Sequence, residues 1–208
     1  MDTKMEEAER KRRQTMIAEE WGGIFPPHEA FYIQSIIYAA DRAEAAFARY
    51  DAALAAATSP DLVVATIQEA LTHVAAISRF FWPMGSSEQT KARGKRLCAA
   101  FEADDASPIR PRKLRNAFEH FDEDLDRFLI QDPVGCFFPT PLVDDHELAD
   151  DELGNIFKLV DPVHGICVLL GEKYDFANIR GEVRRILAKA RHMSGSGGRL
   201  TARGGMTL

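Results

Sequence analysis

The sequence predicts a mainly α-helical protein: an up-and-down helical bundle, then a small C-terminal β-hairpin and a terminal helix. Three observations point there. Apolar residues recur at spacings of three and four over long stretches before residue 131. Alanine is dense between Ala39 and Ala76, which favours helix. Proline and glycine fall between these stretches, at Gly22-Gly23, Pro26-Pro27, Ser59-Pro60 and Pro83 with Gly85.

Residues 1–25 read as a charged N-terminal helical arm, because opposite charges alternate at helical spacing from Met5 to Trp21 with few apolar positions. Residues 26–131 form the expected bundle. Its first helix runs from Pro27 to about Ala57, with Phe31, Ile33, Ile37, Tyr38, Ala45, Phe47, Tyr50 and Leu54 as candidate core. A second follows Ser59, a candidate N-cap with Pro60 at the first helical position, and carries Val63, Val64, Ile67, Leu71, Val74, Ile77, Phe80 and Phe81. A shorter helix spans Ser87 to about Phe101. The next begins near Arg112 and runs to Leu129, with Leu114, Phe118, Phe121, Leu125, Phe128 and Leu129 as a narrow core stripe.

Residues 132–192 comprise a proline-rich loop, an acidic stretch from Asp144 to Glu152, a hairpin and a terminal helix packed on the bundle. The hairpin joins Ile156–Val160 to Ile166–Leu170 through Asp161-Pro162-Val163-His164-Gly165. The terminal helix runs from Phe176 to about His192 on Ile179, Val183, Ile186 and Leu187, and the glycine-rich 193–208 reads as a disordered tail.

With 46% hydrophobic and 28% charged residues, the chain has the composition of a globular protein. Its net charge of −6 does not advertise nucleic-acid binding over the whole surface, so an anionic partner needs a local basic patch. Three scattered cysteines, Cys98, Cys136 and Cys167, imply neither a disulfide framework nor a zinc motif, and no metal or other cofactor is expected. The charged N-terminus lacks a signal-peptide core, and Glu69, His73 and Arg79 interrupt the most apolar stretch. The expectation is therefore a cytoplasmic protein without a membrane span.

The segment that carries chemistry is Arg115-Asn116-Ala117-Phe118-Glu119-His120. At about 100° per residue, its polar side chains lie opposite the core stripe, with Arg115 and His120 about 140° apart on the two flanks. They would converge on a substrate if two copies of the helix met. Histidine titrates near neutral pH, an arginine fork holds a phosphate, and Asn116 at i−4 would fix the imidazole tautomer. That set suits metal-free RNA cleavage by the ribose 2′-hydroxyl. Lys91, Arg93, Lys95, Arg96, Arg110, Arg112 and Lys113, just upstream, form a candidate RNA-binding track. Spacing alone is uninformative, since Arg185 and His192 match it too. The polar Asn116, the patterned helix and the basic run distinguish Arg115.

The pattern Arg115-Asn116-x-x-x-His120, late in a helical region, resembles the R-x(4–6)-H signature of the HEPN superfamily. The resemblance spans about residues 27–131 and rests on six positions. It implies a helical bundle that dimerises so that two motif helices line one cleft. It also implies a metal-independent endoribonuclease of defence or toxin type, with Arg115, Asn116 and His120 as the catalytic set. A homodimer, RNA and an antitoxin or other protein partner follow as candidate partners. Asp122 stands where toxins paired with a minimal nucleotidyltransferase carry tyrosine. The same residues also suit two plainer roles: a solvated face with Arg115–Glu119 and Asn116–His120 pairs, or a non-catalytic dimer contact in a scaffold or protein-interaction module.

Overall fold

The computed structural model describes residues 7–117, 121–131, 135–151 and 153–201, without the Arg115 side chain. It is mainly helical with a small C-terminal sheet region. The helices are α1 (Glu7–Trp21), α2 (Glu29–Ala55), α3 (Pro60–Phe81), α4 (Glu88–Phe101), α5 (Arg112–Asn116), α6 (Phe121–Gln131) and α7 (Phe176–Gly195). Short strands lie between α6 and α7: β1 (Cys136–Phe138), β2 (Leu142–Val143), β3 (Gly154–Ile156), β4 (Lys158–Asp161), β5 (Ile166–Leu169) and β6 (Glu172–Asp175).

Helices α2 and α3 pack along their length and bury the face that α3's spacing marks out, from Val63 and Val64 through Ile67, Leu71, Val74 and Ile77 to Phe81. On α2 the buried face differs from the expectation. Ile33, Ile36, Ala40, Ala43, Ala46 and Phe47 are fully covered, whereas Phe31 is 71% and Tyr38 65% exposed. The alanines let α2 approach α3 and α7 closely, so the inward face is the small-residue face and two aromatics are left outside.

Helix α7 lies against α2, and exposed ion pairs run between them: Arg191 to Asp41 (2.6 Å), Arg184 to Glu44 (2.9 Å) and Arg180 to Asp51 (2.7 Å). The pairs meet with rising residue number on one helix and falling number on the other, so the helices are antiparallel. Each pair is exposed and adds little; the buried Ile179, Val183, Ile186 and Ala190 carry the contact.

The expected hairpin is present as β4 paired antiparallel with β5, Leu159 opposite Val168. It sits inside a larger sheet of order β2-β4-β5-β6, with β2 parallel to β4, while β1 pairs with β3 separately. Alternation along the strands sends Val160, Cys167 and Leu169 into the helical core. Leu159 and Val168 turn to the opposite face and join Ile156 in a second, smaller cluster. Between β5 and β6 the chain reverses through Leu170 and Gly171, both at positive φ (49° and 77°), a two-residue turn that matches strand twist.

Helix α1 buries none of its residues and packs on α4. Their junction depends on Gly23, at φ 87°, where a Cβ would stand 2.2 Å from the Arg93 amide nitrogen and 2.5 Å from the Gln89 carbonyl. Both obstacles are backbone, so neither rotates away. Gly23→Ala should therefore cost about 2–3 kcal/mol through strain and overpacking. Gly181→Ala, on an open helical site, should be neutral or stabilising. Urea denaturation midpoints of the two variants check both.

The C-terminal segment is held further than composition implies. Helix α7 continues to Gly195, and the Arg199 guanidinium and Leu200 amide both reach the Glu29 carboxylate, at 3.2 and 2.9 Å. Residues 202–208 lie outside the described residues. No described helix is long and apolar enough to cross a membrane.

Candidate functional site

Pro111, in extended backbone, starts α5, and Leu114 (1% exposed) and Ala117 (6%) anchor it to the core. Helical phase then leaves Asn116 half-buried on the other flank. Together with Arg112 and Lys113 it opens onto a cavity of about 480 Å³ between α5, α6 and the β5–β6 hairpin. Arg127 and Phe128 of α6 and Tyr174 of β6 complete the wall.

Of the expected helix, α5 and α6 are described, and Phe118, Glu119 and His120 between them lie outside the described residues. The core stripe is shallower than its spacing implies. Leu114 is buried, but Phe121, Leu125 and Phe128 are half-buried and Leu129 is 49% exposed. The reason is what α6 packs against. Phe121 meets Phe157 edge-on at 6.0 Å, and Phe128 rests 3.6 Å from where a Gly171 Cβ would stand. With these contacts the amphipathic helix has no residue that is fully buried.

Charge around the cavity is balanced. Lys113 pairs with Glu172 at 2.5 Å, and Arg127 pairs with Asp124. Arg112 makes no ion pair among the described residues, which leaves it as a cation for an incoming anion. Burial, then the nearby Glu172, pushes the Tyr174 phenol above its ordinary range, so it stays protonated. Behind α6, Lys158 stands over the rings of Phe121 (5.0 Å) and Phe157 (4.7 Å) and donates to the Gln68 side-chain carbonyl (3.0 Å). Burial pulls its ammonium pKa down. This cation–π contact fixes the residue next to His120 in sequence.

The expected RNA-binding track divides by helical phase. Arg112 and Lys113 are at the cavity. Lys91 and Lys95 are on the exposed face of α4, Lys91 paired with Glu88, and Arg110 pairs with Asp105. Arg93 and Arg96 turn into the fold: Arg93 lies over the Tyr32 ring, and Arg96 bonds the buried Glu29 and the carbonyls of Trp21 and Ile24. Arg127 and Tyr174 escape sequence reading because they join the site only through packing of α6 and β6.

Two of the three thiols, Cys98 and Cys167, are held away from reactive chemistry by burial. Burial pushes Cys98 up to about 11 and Cys167 up to about 12, well away from a reactive thiolate.

Comparison with family models, with characterised proteins and with solved structures finds no match.

Proposed function

We propose that this chain is a HEPN-like protein that acts as a homodimer on RNA, cleaving it without a metal through Arg115, Asn116 and His120. The observation that carries the reading is the position of Asn116, which opens with Arg112 and Lys113 onto the cavity beside α6. In this reading α2, α3, α4 and α7 form an up-and-down bundle that presents the motif at its edge. Arg112 attracts the phosphate backbone, and the Arg115 guanidinium stabilises charge developing on the scissile phosphate. His120 takes the proton of the attacking 2′-hydroxyl or delivers one to the departing 5′-oxygen, leaving a 2′,3′-cyclic phosphate and a 5′-hydroxyl.

Helix α6 supports the dimer. It buries none of its residues, and Leu129 (49%) and Ile130 (78%) are exposed at its end. Single-stranded RNA incubated with untagged protein in EDTA should yield cyclic-phosphate ends, and His120→Ala and Arg115→Ala should lose about 10²–10⁴-fold in rate. Cleavage that survives in either variant, or that requires added metal, sinks the mechanism.

A second reading rests on a different surface. Phe31, Tyr38 and Phe80 line an apolar hollow of about 610 Å³ on the outer side of α2 and α3. A non-catalytic scaffold would use that face, together with the charged α1, for a protein partner. It predicts a stable dimer or partner complex and no nuclease activity, so the cleavage assay in EDTA on the purified chain separates the two.

A further inference from the structure

We propose that Asp145, His146, Asp161 and His164 form a binding site for a divalent first-row transition metal of zinc's class. The metal would staple the turn before β3 to the tip of the β4–β5 hairpin. One ligand atom from each of the four residues lies within 4.8 Å of all the others. Asp145 and His146 are at the start of a short 3-10 helix (His146–Asp150), and Asp161 and His164 are at the end of β4 and in the turn that follows.

Asp161 organises the cluster. It is 1% exposed, and its Oδ1 accepts the amides of Val163 (2.9 Å) and His164 (3.0 Å). That fixes the carboxylate and directs Oδ2 at the two imidazoles, whose Nδ1 atoms each stand 2.7 Å away. Asp145 Oδ1 lies 3.5 Å from the same nitrogen of His146. Two imidazole nitrogens on different chain segments thus address one buried oxygen from ring planes 68° apart, a convergent and non-coplanar donor set. Tetrahedral zinc, with bonds of about 2.0–2.2 Å, needs ligand atoms roughly 3.3 Å apart. The 2.7 Å contacts to Asp161 must open by about 0.6 Å and the widest separations, up to 4.8 Å, must close by at most about 1.5 Å, a movement for which the exposed His164 ring has room.

Charge points the same way. No Lys or Arg pairs with Asp161 among the described residues; its partners are two histidines, and Asp145 and Glu147 add further negative charge beside His164. Nearby Lys173 is engaged by Asp150 at 2.6 Å. A buried carboxylate among acids lacks a permanent counter-charge, which a divalent cation supplies. Two imidazoles with two carboxylates favour zinc, cobalt or nickel over magnesium or calcium. Backbone amides holding the far oxygen of Asp161 are the outer shell such a site uses. Four protein ligands mark the site as structural: it would hold Asp145–His146, otherwise tied in by the two-residue β2, over the cluster of Ile156, Leu159 and Val168.

The test uses untagged, EDTA-dialysed full-length chain and needs no RNA. Equilibrium dialysis against Zn²⁺ should give one equivalent per chain, and Co²⁺ should give the visible absorption of a tetrahedral site. Zn²⁺ at about a hundredfold excess over Kd should raise Tm by about 5–10 °C, while Mg²⁺ leaves it unchanged. His164 is 54% exposed at its side chain, so His164→Gln should stay folded by circular dichroism and lower zinc affinity at least about tenfold. His146→Gln should do the same, and the double variant should abolish uptake. Zinc uptake equal in the wild type and the double variant, or a Tm rise matched by Mg²⁺, overturns the proposal.

Discussion

Arg96→Met is expected to destabilise the protein by about 3–5 kcal/mol, the cost of leaving a buried charge without its partner. Glu29 is 1% exposed at the start of α2, and the Arg96 guanidinium from α4 caps its carboxylate. The same guanidinium donates to the carbonyls of Trp21 and Ile24, so it also ties in the end of α1 and the link to α2. Methionine keeps the apolar stem and removes every donor. Among the described residues the carboxylate then retains Arg199, itself half in water, and the Leu200 amide. Two carbonyls lose a charged donor as well. Urea denaturation should show a lower midpoint with an unchanged slope, whereas Lys91→Ala and Lys95→Ala on the outer face of α4 stay within about 0.5 kcal/mol. Arg96→Met combined with Glu29→Leu should lose less than the sum of the single changes, because the stranded charge goes too. An Arg96→Met protein within 1 kcal/mol of wild type would mean that water replaces the guanidinium at Glu29.

Arg96 also marks where sequence reading stops. Lys91, Arg93, Lys95 and Arg96 form one basic run in the sequence, but a helix divides them by phase, and only Lys91 and Lys95 face outward. Which face is inward depends on what α4 packs against, and that contact lies some 70 residues away in the sequence, at Glu29. Local signals fared better. The proline at Pro60 and the serine at Ser87, whose hydroxyl accepts the Thr90 amide, place the starts of α3 and α4 where the residues suggest. The apolar spacing of α3 maps directly onto its buried face. On α2 the same rule misassigns Phe31 and Tyr38, because close packing there selects alanine over bulk.

The sheet was legible only at its centre. The hairpin β4–β5 is apolar on both faces and its turn is rich in turn-forming residues, so it reads clearly. β2 has two residues, β1 and β3 have three, and β6 is Glu-Lys-Tyr-Asp. None of these is long enough to show an alternation. The cluster of Asp145, His146, Asp161 and His164 stayed hidden for a related reason. Its halves are a Asp-His pair and an Asp-x-x-His turn, neither of which has meaning until the sheet brings the two together.

The motif has its own decisive test in subunit mixing. A variant lacking Arg115 and a variant lacking His120, each inactive alone, should recover on the order of a quarter of wild-type cleavage when denatured together and refolded. Arg115 belongs to α5, which ends at Asn116, and His120 directly precedes α6. On one continuous helix the two side chains would diverge by about 140°. A cleft between two copies turns that divergence to use, with arginine from one protomer meeting histidine from its partner. Random reassortment makes half of the dimers mixed, and each mixed dimer has one site carrying both native residues and one carrying neither. Half of the sites in half of the dimers is the expected quarter. If each site instead takes both residues from one protomer, no mixed dimer has an intact site and mixing restores nothing. Ile130→Glu gives the control, since a charge on the exposed end of α6 should abolish both dimer and recovery if that helix forms the interface. Recovery that persists in a monomer by light scattering would remove the shared cleft, and with it the reason for two flanks on one helix.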